Sequence, residues 1–316
     1  MIRVDSVTEG VDGGGVLAPV AVAASTSPVS CPSVIEGAEP SLKAAFFVWS
    51  LRLPWRGGPT PGTKGSVDNR LHDANREYEQ RTLEVGAALP RYTTWLLEEF
   101  VPYLRGRVIE VGAGIGTISE RYTDDVEEAV LVEPAVNLHA TLQERLARPN
   151  VRTVCGMLDE VFGKTVNGAR IEPGSFDCAI MVNVLEHIPE DRQVLSKLYE
   201  LLKPGGALLI FVPAMPFLYG ALDERVGHVR RYTDQTLREG FEAAGFSVRK
   251  MRYFDLLGMI PWFVTGKVLR RPTIGEGSAT FYDRFVVPVC AWVDDVTRPR
   301  MGKNLIGIGL KPRARA

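Results

Sequence analysis

Short apolar runs alternate with helical patterns through the middle of this chain, and this alternation constrains the fold more than any other feature. The runs are rich in β-branched residues and nearly continuously apolar, which is typical of strands covered on both faces. They fall at 108–111, 129–132, 151–154, 176–184, 207–212 and 246–252. Helices are predicted to begin or lie between them at 117–122, 135–147, 190–202 and 235–244. Strands joined by right-handed helical crossovers give a doubly wound, Rossmann-like α/β sheet.

The flanking sequence predicts the remaining organisation. Residues 1–66 lack sustained periodicity and are rich in Gly, Pro and Ser, so they are predicted to be a flexible N-terminal tail. Residues 67–105 are predicted to be a helical lead-in or cap. Its second part has one apolar face, formed at a spacing of four by Tyr92, Leu96, Phe100 and Leu104.

Beyond the last of these runs the pattern changes. Residues 253–303 form an aromatic-rich insertion, predicted to be a lid or an interface. Residues 304–310 read as a final strand. The α/β core is therefore predicted to comprise residues 106–252 together with 304–313.

Composition limits the classes of function. The 37 basic and 38 acidic residues give a net charge of -1, so no overall field attracts nucleic acid. The four cysteines have no metal-site spacing and are predicted to be free thiols in a reducing compartment. The apolar run at 16–25 contains a proline and follows acidic residues, unlike a signal peptide. We expect a cytoplasmic protein that binds neither nucleic acid nor metal, and the oligomeric state stays open.

A glycine-rich loop leaves the first strand, with glycines at Gly112, Gly114 and Gly116. Such a loop lets a ligand approach the backbone and the N–H groups that follow it. The dinucleotide fingerprint would need a glycine where Thr117 stands, and no Lys-Ser/Thr pair of a P-loop follows. A tight turn without a ligand is the alternative interpretation.

Two acidic residues indicate the kind of ligand. Glu110 lies within the first strand, where burial of a carboxylate is costly without a donor, and a cationic ligand reduces that cost. Glu133 ends the next strand, 19 residues after Gly114, where an acid can accept hydrogen bonds from both ribose hydroxyls. The pattern predicts a ligand with a ribose and a cationic group but no phosphate. S-adenosylmethionine meets these conditions.

Four ordered elements together resemble the class I S-adenosylmethionine-dependent methyltransferases. They are Glu110-x-Gly112-x-Gly114-x-Gly116, the acid in LVEP, the FDCAIMVNVLEHI strand and the LLKPGGALLIFVP turn and strand. The resemblance covers about residues 106–252. It implies a seven-stranded sheet whose last strand, at 304–310, is antiparallel.

The resemblance also implies cofactor contacts. Asn183 and Val184 would approach the methionine part, and Leu158 and Asp159 would lie near the adenine. The residues assigned to the cofactor are Glu110, Gly112, Ala113, Gly114, Gly116, Glu133, Pro134, Leu158, Asp159, Asn183 and Val184.

Two histidines are candidates for acid–base chemistry, although methyl transfer can rely on positioning alone. An acceptor hydroxyl must lose a proton, and His187 and His228 follow strands at the edge where ligands bind. Alternatively, His187 orients a loop and His228 belongs to a solvated charged loop. His72 and His139 are predicted to be surface or packing residues. The acceptor pocket is assigned to Tyr219, Asp223, Arg231 and Tyr232.

The predicted function is O-methylation of a small-molecule or a lipid- or sugar-linked metabolite, in a natural-product or envelope pathway. The motifs of amide, adenine and cytosine methyltransferases are absent. N-methylation, a non-catalytic cofactor-binding scaffold and a nicotinamide oxidoreductase are the alternatives.

The segment 254–271 combines apolar aromatics with Lys267, Arg270 and Arg271. It is predicted either to pack as a lid or interface or to contact a membrane or a lipid-linked acceptor.

Overall fold

The computed structural model describes residues 89–269 and 276–313. The predicted tail at 1–66 lies outside the described residues, as do the lead-in before residue 89 and the pair Arg270 and Arg271.

One large sheet organises the described part of the chain. The strands are β1 (Arg107–Val111), β2 (Glu128–Glu133), β3 (Val151–Cys155), β4 (Lys164–Val166), β5 (Ala169–Ile171), β6 (Phe176–Val182), β7 (Leu202–Pro213), β8 (Ser247–Phe254) and β9 (Asn304–Leu310). Seven of them form the sheet, in the order β3-β2-β1-β6-β7-β9-β8. The first five of that order pair in parallel, and β9 is antiparallel to both of its neighbours. The predicted seven-stranded Rossmann-like sheet with an antiparallel last strand is confirmed.

Helices cover the sheet and form the insertion. They are α1 (Pro90–Phe100), α2 (Val136–Arg145), α3 (Leu158–Val161), α4 (Asp191–Leu201), α5 (Ala221–Val226), α6 (Asp234–Ala243), α7 (Met259–Phe263), α8 (Glu276–Phe281) and α9 (Val287–Thr297). A π-helical turn at Tyr282–Val286 joins α8 to α9. The prediction of a helix that begins at Thr117 is wrong. The glycine loop is followed there by two 3₁₀ turns, at Ser119–Arg121 and Thr123–Asp125.

Alternate residues of the central strands are buried on opposite faces of the sheet. In β1, Ile109 packs into one apolar cluster and Val108 into the other, and both are fully buried. In β6, Met181 and Ile180 divide in the same way. This double burial explains why the strands read as continuous apolar runs in the sequence.

A short hairpin, β4 with β5, is a feature that the strand pattern missed. Asn167 and Gly168 form its two-residue turn with φ of 49° and 79°. Two successive positive φ angles at an Asn-Gly pair are typical of the tight turn that suits the twist of a hairpin. The Asn-Gly pair was therefore the signal in the sequence.

Buried carboxylates connect the helices of the aromatic-rich insertion to α1 and to the chain directly after β8. Asp283 accepts hydrogen bonds from the backbone N–H of Tyr92, at 2.9 Å, and of Arg91, at 3.2 Å. These donors belong to the first turn of α1, where a negative charge is favourable. Asp294 of α9 accepts hydrogen bonds from the backbone N–H of Asp255, at 2.6 Å, and of Leu256, at 3.2 Å. The π-helical turn is thus held to α1, and α9 is held to the residues that directly follow β8.

Cysteine usage differs in part from the prediction. Cys178 and Cys290 are free and buried, as expected. Cys155 takes part in a disulfide bond, so the prediction of free thiols is wrong at that residue. No helix among the described residues has the length and apolar character needed to span a bilayer.

Candidate active site

The glycine loop lies at the carboxyl end of β1 and is hydrogen-bonded to the neighbouring strand. The backbone N–H groups of Gly112 and Ala113 both donate to the Val132 carbonyl, at 2.8 Å and 3.2 Å. Gly112, Gly114 and Gly116 have φ of 75°, 56° and 83°. Glycine adopts this left-handed region without steric cost. The loop is therefore a turn whose backbone shape depends on all three glycines.

Two of these glycines also leave no room for a side chain. A Cβ on Gly112 would lie 2.4 Å from Cγ2 of Val184, which follows β6. A Cβ on Gly116 would lie 2.8 Å and 2.9 Å from the Cδ1 atoms of Leu146 and Leu142. The structure thus brings Gly112 and Val184, both assigned to the cofactor, into direct proximity.

Glu133 spans the space between β2 and the glycine loop. One carboxylate oxygen accepts a hydrogen bond from the Gly114 N–H at 2.8 Å, and the other accepts one from the Ala135 N–H at 2.9 Å. Pro134 lies between them and is half-buried. Each oxygen of a carboxylate can accept more than one hydrogen bond, so these contacts are compatible with two ribose hydroxyls as further donors. The position and orientation of Glu133 fit S-adenosylmethionine.

Glu110 is buried beneath the loop, and the protein itself supplies its donors. The Ser119 hydroxyl donates to its Oε2 at 2.6 Å, and the Tyr122 hydroxyl donates at 2.8 Å. Burial raises the pKa of Glu110 to about 7, although these two hydrogen bonds lower it. The sequence argument invoked a cationic ligand to compensate this acid. Ser119 and Tyr122 compensate it instead, so a direct cofactor contact of Glu110 stays a prediction.

The other residues assigned to the cofactor differ in exposure. Asn183 directly follows β6 with φ of 53°, its N–H donates to the Phe211 carbonyl at 2.8 Å, and its side chain is exposed. Leu158 is buried in the core. The Asp159 carboxylate is exposed and lies 2.5 Å from Lys197 Nζ of α4. These contacts leave the adenine role of Leu158 and Asp159 a prediction.

The structure brings the two candidate histidines together. His187 follows β6 and His228 follows α5, and their ring centroids lie 4.8 Å apart with the planes at 74°. His187 Nδ1 lies 3.3 Å from the Gly227 carbonyl oxygen, and His228 Nδ1 lies 2.8 Å from the Asp223 carboxylate. Burial, followed by the neighbouring His228, lowers the pKa of His187 to about 4. His187 is therefore neutral near pH 7.

A buried ion pair holds His228 in place. Arg231 Nε donates to the same Asp223 oxygen at 2.8 Å, and an Arg231 NH1 group donates to the Ala214 carbonyl at 2.8 Å. Burial acts to raise the pKa of Asp223, but the His228 hydrogen bond and the Arg231 guanidinium lower it below its usual value. Asp223 is thus an ionised carboxylate that fixes the orientation of the His228 ring.

The two tyrosines assigned to the acceptor pocket stabilise the same loop. The Tyr219 hydroxyl donates to the His228 carbonyl at 2.7 Å, and the Tyr232 hydroxyl donates to the Asp191 carboxylate at 2.8 Å. Tyr219, Asp223 and Arg231 therefore belong to one hydrogen-bonded network with His228, and Tyr232 fixes the chain next to Arg231. Whether they touch an acceptor stays a prediction.

Glu186 belongs to this cluster and was missed by sequence reasoning. Its side chain is fully buried, and its Oε1 lies 3.6 Å from His228 Nε2. Neither of its carboxylate oxygens accepts a hydrogen bond from another residue in the described parts of the chain. Burial raises the pKa of Glu186 to about 8, against the opposing charge of Arg231. The available signal was its place beside His187 at the end of a strand.

Comparison with known proteins identifies the family. Residues 71–251, more than half of the chain, match the methyltransferase-domain family. A protein of Mycolicibacterium smegmatis named as a probable S-adenosylmethionine-dependent methyltransferase is 27% identical over 204 residues, which are 62% of this chain and 72% of that protein. The fold and these matches define a class I S-adenosylmethionine-dependent methyltransferase. The chain belongs to the methyltransferase-domain family, and its cofactor is S-adenosylmethionine.

Two further comparisons are more limited. A ubiquinone biosynthesis O-methyltransferase of Xanthomonas campestris pv. campestris is 29% identical over 104 residues, 33% of this chain and 41% of that enzyme. The match thus spans less than half the length of the ubiquinone enzyme. A chain of the complex between the Haloferax volcanii Trm112 methyltransferase activator and its candidate methyltransferase aligns with a TM-score of 0.54 at 16% identity. That alignment covers 77% of this chain and 98% of the other, and it supports the fold alone.

Proposed function

We propose that this protein transfers the methyl group of S-adenosylmethionine to an oxygen atom of a small-molecule or lipid-linked acceptor. The observation that carries the proposal is the arrangement of His228 at the ligand edge of the sheet. Its Nδ1 faces the ionised Asp223, which can only accept, so Nδ1 carries the proton. Nε2 then carries the lone pair with which His228 can take a proton from an acceptor hydroxyl.

The two halves of the site have separate tasks. The glycine loop and Glu133 would hold the cofactor, which supplies a sulfonium-bound methyl group. Transfer to oxygen breaks the sulfur–carbon bond, leaves its electron pair on sulfur and frees the hydroxyl proton. His228 accepts that proton, and the Asp223 carboxylate, 2.8 Å away, stabilises the resulting imidazolium.

Two observations bear on the acceptor. The Xanthomonas relative is named as an O-methyltransferase, which favours oxygen over the alternative of nitrogen. An apolar stripe on the helical segment from α8 to α9 favours a lipid-linked acceptor, since such a surface suits contact with a membrane. The residues of this stripe are each at least half exposed and are spaced by three or four: Phe281, Phe285, Val289, Trp292 and Val296.

Methyl-labelled cofactor, incubated with the protein and with aqueous and organic extracts of the source organism, tests the proposal. We expect a labelled O-methyl product, enriched in the organic extract, and its mass fragments would locate the methyl group. The variant His228→Ala should lower kcat by roughly 10²–10⁴-fold with unchanged cofactor affinity. The variant His139→Ala, which removes a half-buried histidine of α2, is the matched control. An N-methyl product, or full activity in His228→Ala, would overturn the proposal.

A further inference from the structure

We propose that Glu186, His187 and His228 together bind a divalent transition-metal cation. One ligand atom from each residue can be chosen so that all three lie within 4.8 Å of one another. Two residues come from the 3₁₀ turn Leu185–His187 that follows β6, and the third comes from the loop after α5. The cluster is therefore built by the fold, since 40 residues separate His187 from Gly227, which precedes His228.

The buried acid is the first argument for a cation. Glu186 is 0% exposed, and no other residue within the described ranges donates a hydrogen bond to either carboxylate oxygen. A buried carboxylate is costly unless it is paired, hydrogen-bonded or bound to a metal ion. His228 Nε2, 3.6 Å from Glu186 Oε1, is too distant for a hydrogen bond, but a shared cation could bridge the two atoms.

The second argument is the orientation of both imidazoles. A histidine that binds a metal through one nitrogen almost always donates the other ring N–H to a carboxylate or a backbone carbonyl. His228 has the Asp223 carboxylate at Nδ1, and His187 has the Gly227 carbonyl at Nδ1. His228 thus has the outer partner that favours Nε2 as its ligand nitrogen, and the Nδ1 of His187 faces a backbone carbonyl in the same way.

Charge and ligand chemistry select the cation. Once Glu186 is ionised by a bound cation, it and Asp223 would carry two negative charges beside the guanidinium of Arg231, which is already paired with Asp223. A cation at Glu186 would therefore meet an uncompensated carboxylate. Two imidazoles and one carboxylate suit zinc, cobalt or iron, whereas magnesium prefers oxygen ligands. Three protein ligands leave a position for an acceptor oxygen.

This inference rests on the proposed function and changes how the acceptor would be activated. A hydroxyl bound to a divalent cation has a lowered pKa and loses its proton to solvent more readily. In the cation-bound protein, His228 acts as a ligand, and Asp223 and Arg231 act as positioning residues for it.

Cobalt titration of the untagged, chelator-treated full chain tests the site, because cobalt bound by nitrogen and oxygen ligands absorbs visible light. We expect one equivalent to bind, zinc to displace it and magnesium to leave it in place. Affinity should fall at least tenfold in Glu186→Gln and in His228→Ala but not in His139→Ala, provided that circular dichroism shows each variant folded. Side-chain ¹⁵N NMR of the unaltered protein with zinc should shift Nε2 of two of the four histidines, which keeps the test independent of variant folding.

Failure to bind cobalt or zinc would overturn the inference, as would unchanged affinity in both cluster variants. Methyl transfer that depends on His228 but persists without any bound metal would refute the cation and retain the proposed function. Stoichiometric binding that requires Glu186 and His228, in a protein that methylates nothing, would support the cation site and refute the proposed function.

Discussion

Replacing Gly112 by alanine should destabilise the folded protein for two reasons, one in the backbone and one steric. The first is the backbone cost, because φ is 75° and an L-residue in this region loses roughly 1–2 kcal/mol. The second is steric, because the new Cβ would lie 2.4 Å from Val184 Cγ2. Overpacking of this kind costs about 1–3 kcal/mol. We therefore expect Gly112→Ala to lower the free energy of unfolding by roughly 2–5 kcal/mol.

Gly163 is a matched control for the backbone term. Its φ is 74°, and a Cβ there would have nothing within 4 Å. Gly163→Ala should thus cost only the roughly 1–2 kcal/mol of the left-handed conformation. The double variant Gly112→Ala/Val184→Ala should be less destabilised than the sum of its single variants, since the smaller side chain at 184 relieves the clash.

Urea unfolding of the four variants, together with calorimetric titration of the cofactor, measures these effects. We expect Gly112→Ala to weaken cofactor binding and Gly163→Ala to leave it unchanged. Equal destabilisation by the two alanine substitutions would refute the steric argument. Strict additivity of the Gly112 and Val184 substitutions would refute the contact between them.

Three further predictions concern acidic residues. Glu133→Ala should weaken cofactor binding at least tenfold in a calorimetric titration. The control is Glu127→Ala, which removes an exposed acid beside β2 and should leave the affinity unchanged. Glu110 has a pKa raised in the folded protein to about 7 from 4.5, so its contribution to stability is full below pH 4.5 and is lost as pH rises through 7. Urea unfolding should therefore show wild type losing on the order of 3 kcal/mol more than Glu110→Gln between pH 4.5 and 8. Asp283→Ala should cost roughly 1–3 kcal/mol in thermal unfolding, because the buried N–H of Tyr92 and the part-buried N–H of Arg91 lose their acceptor.

A specific experimental result would contradict each of these three predictions. Unchanged affinity in Glu133→Ala would remove the ribose assignment. Parallel pH profiles of wild type and Glu110→Gln would show that Glu110 titrates normally in the folded protein. Asp295→Ala is the control for Asp283, because it removes an exposed partner of Arg252 and should cost less than about 1 kcal/mol. Equal costs for the two aspartates would refute the capping role of Asp283.

The sheet could be predicted from the sequence because its strands are buried on both faces, as Val108 and Ile109 show. The turns were harder, since their structure depends on contacts across the fold. The helix expected from Thr117 is replaced by 3₁₀ turns that aim the hydroxyls of Ser119 and Tyr122 at Glu110. The need of Glu110 for two hydroxyl donors does not appear in the local hydrophobic periodicity of the sequence, so the sequence pattern could not predict these turns.

The same distinction between local pattern and contacts across the fold applies to the candidate site. The contact of Glu133 with Gly114 joins two neighbouring strands of the sheet. The spacing of the acid and the glycines placed both residues in one ligand site, although it did not predict this hydrogen bond. The approach of His228 to Glu186 joins two loops that follow different strands. Sequence reasoning placed His187 and His228 at one edge of the sheet but could not show that the neighbour of His187, Glu186, faces His228. The proximity of Glu186 and His228 depends on the three-dimensional position of the loop that carries His228, which the sequence pattern does not give.

Two buried acids at this edge of the sheet show why hydrogen-bond partners decide between a structural and a ligand-binding role. Glu110 and Glu186 are both almost fully buried, and burial raises the pKa of each. Glu110 receives two short hydrogen bonds from hydroxyl groups of the next turns, so the protein already compensates its burial. Glu186 receives none from other described residues and faces an oriented imidazole instead. Burial alone therefore does not identify a ligand site, and the uncompensated acid is the one at which a cation or an acceptor hydroxyl has a physical reason to bind.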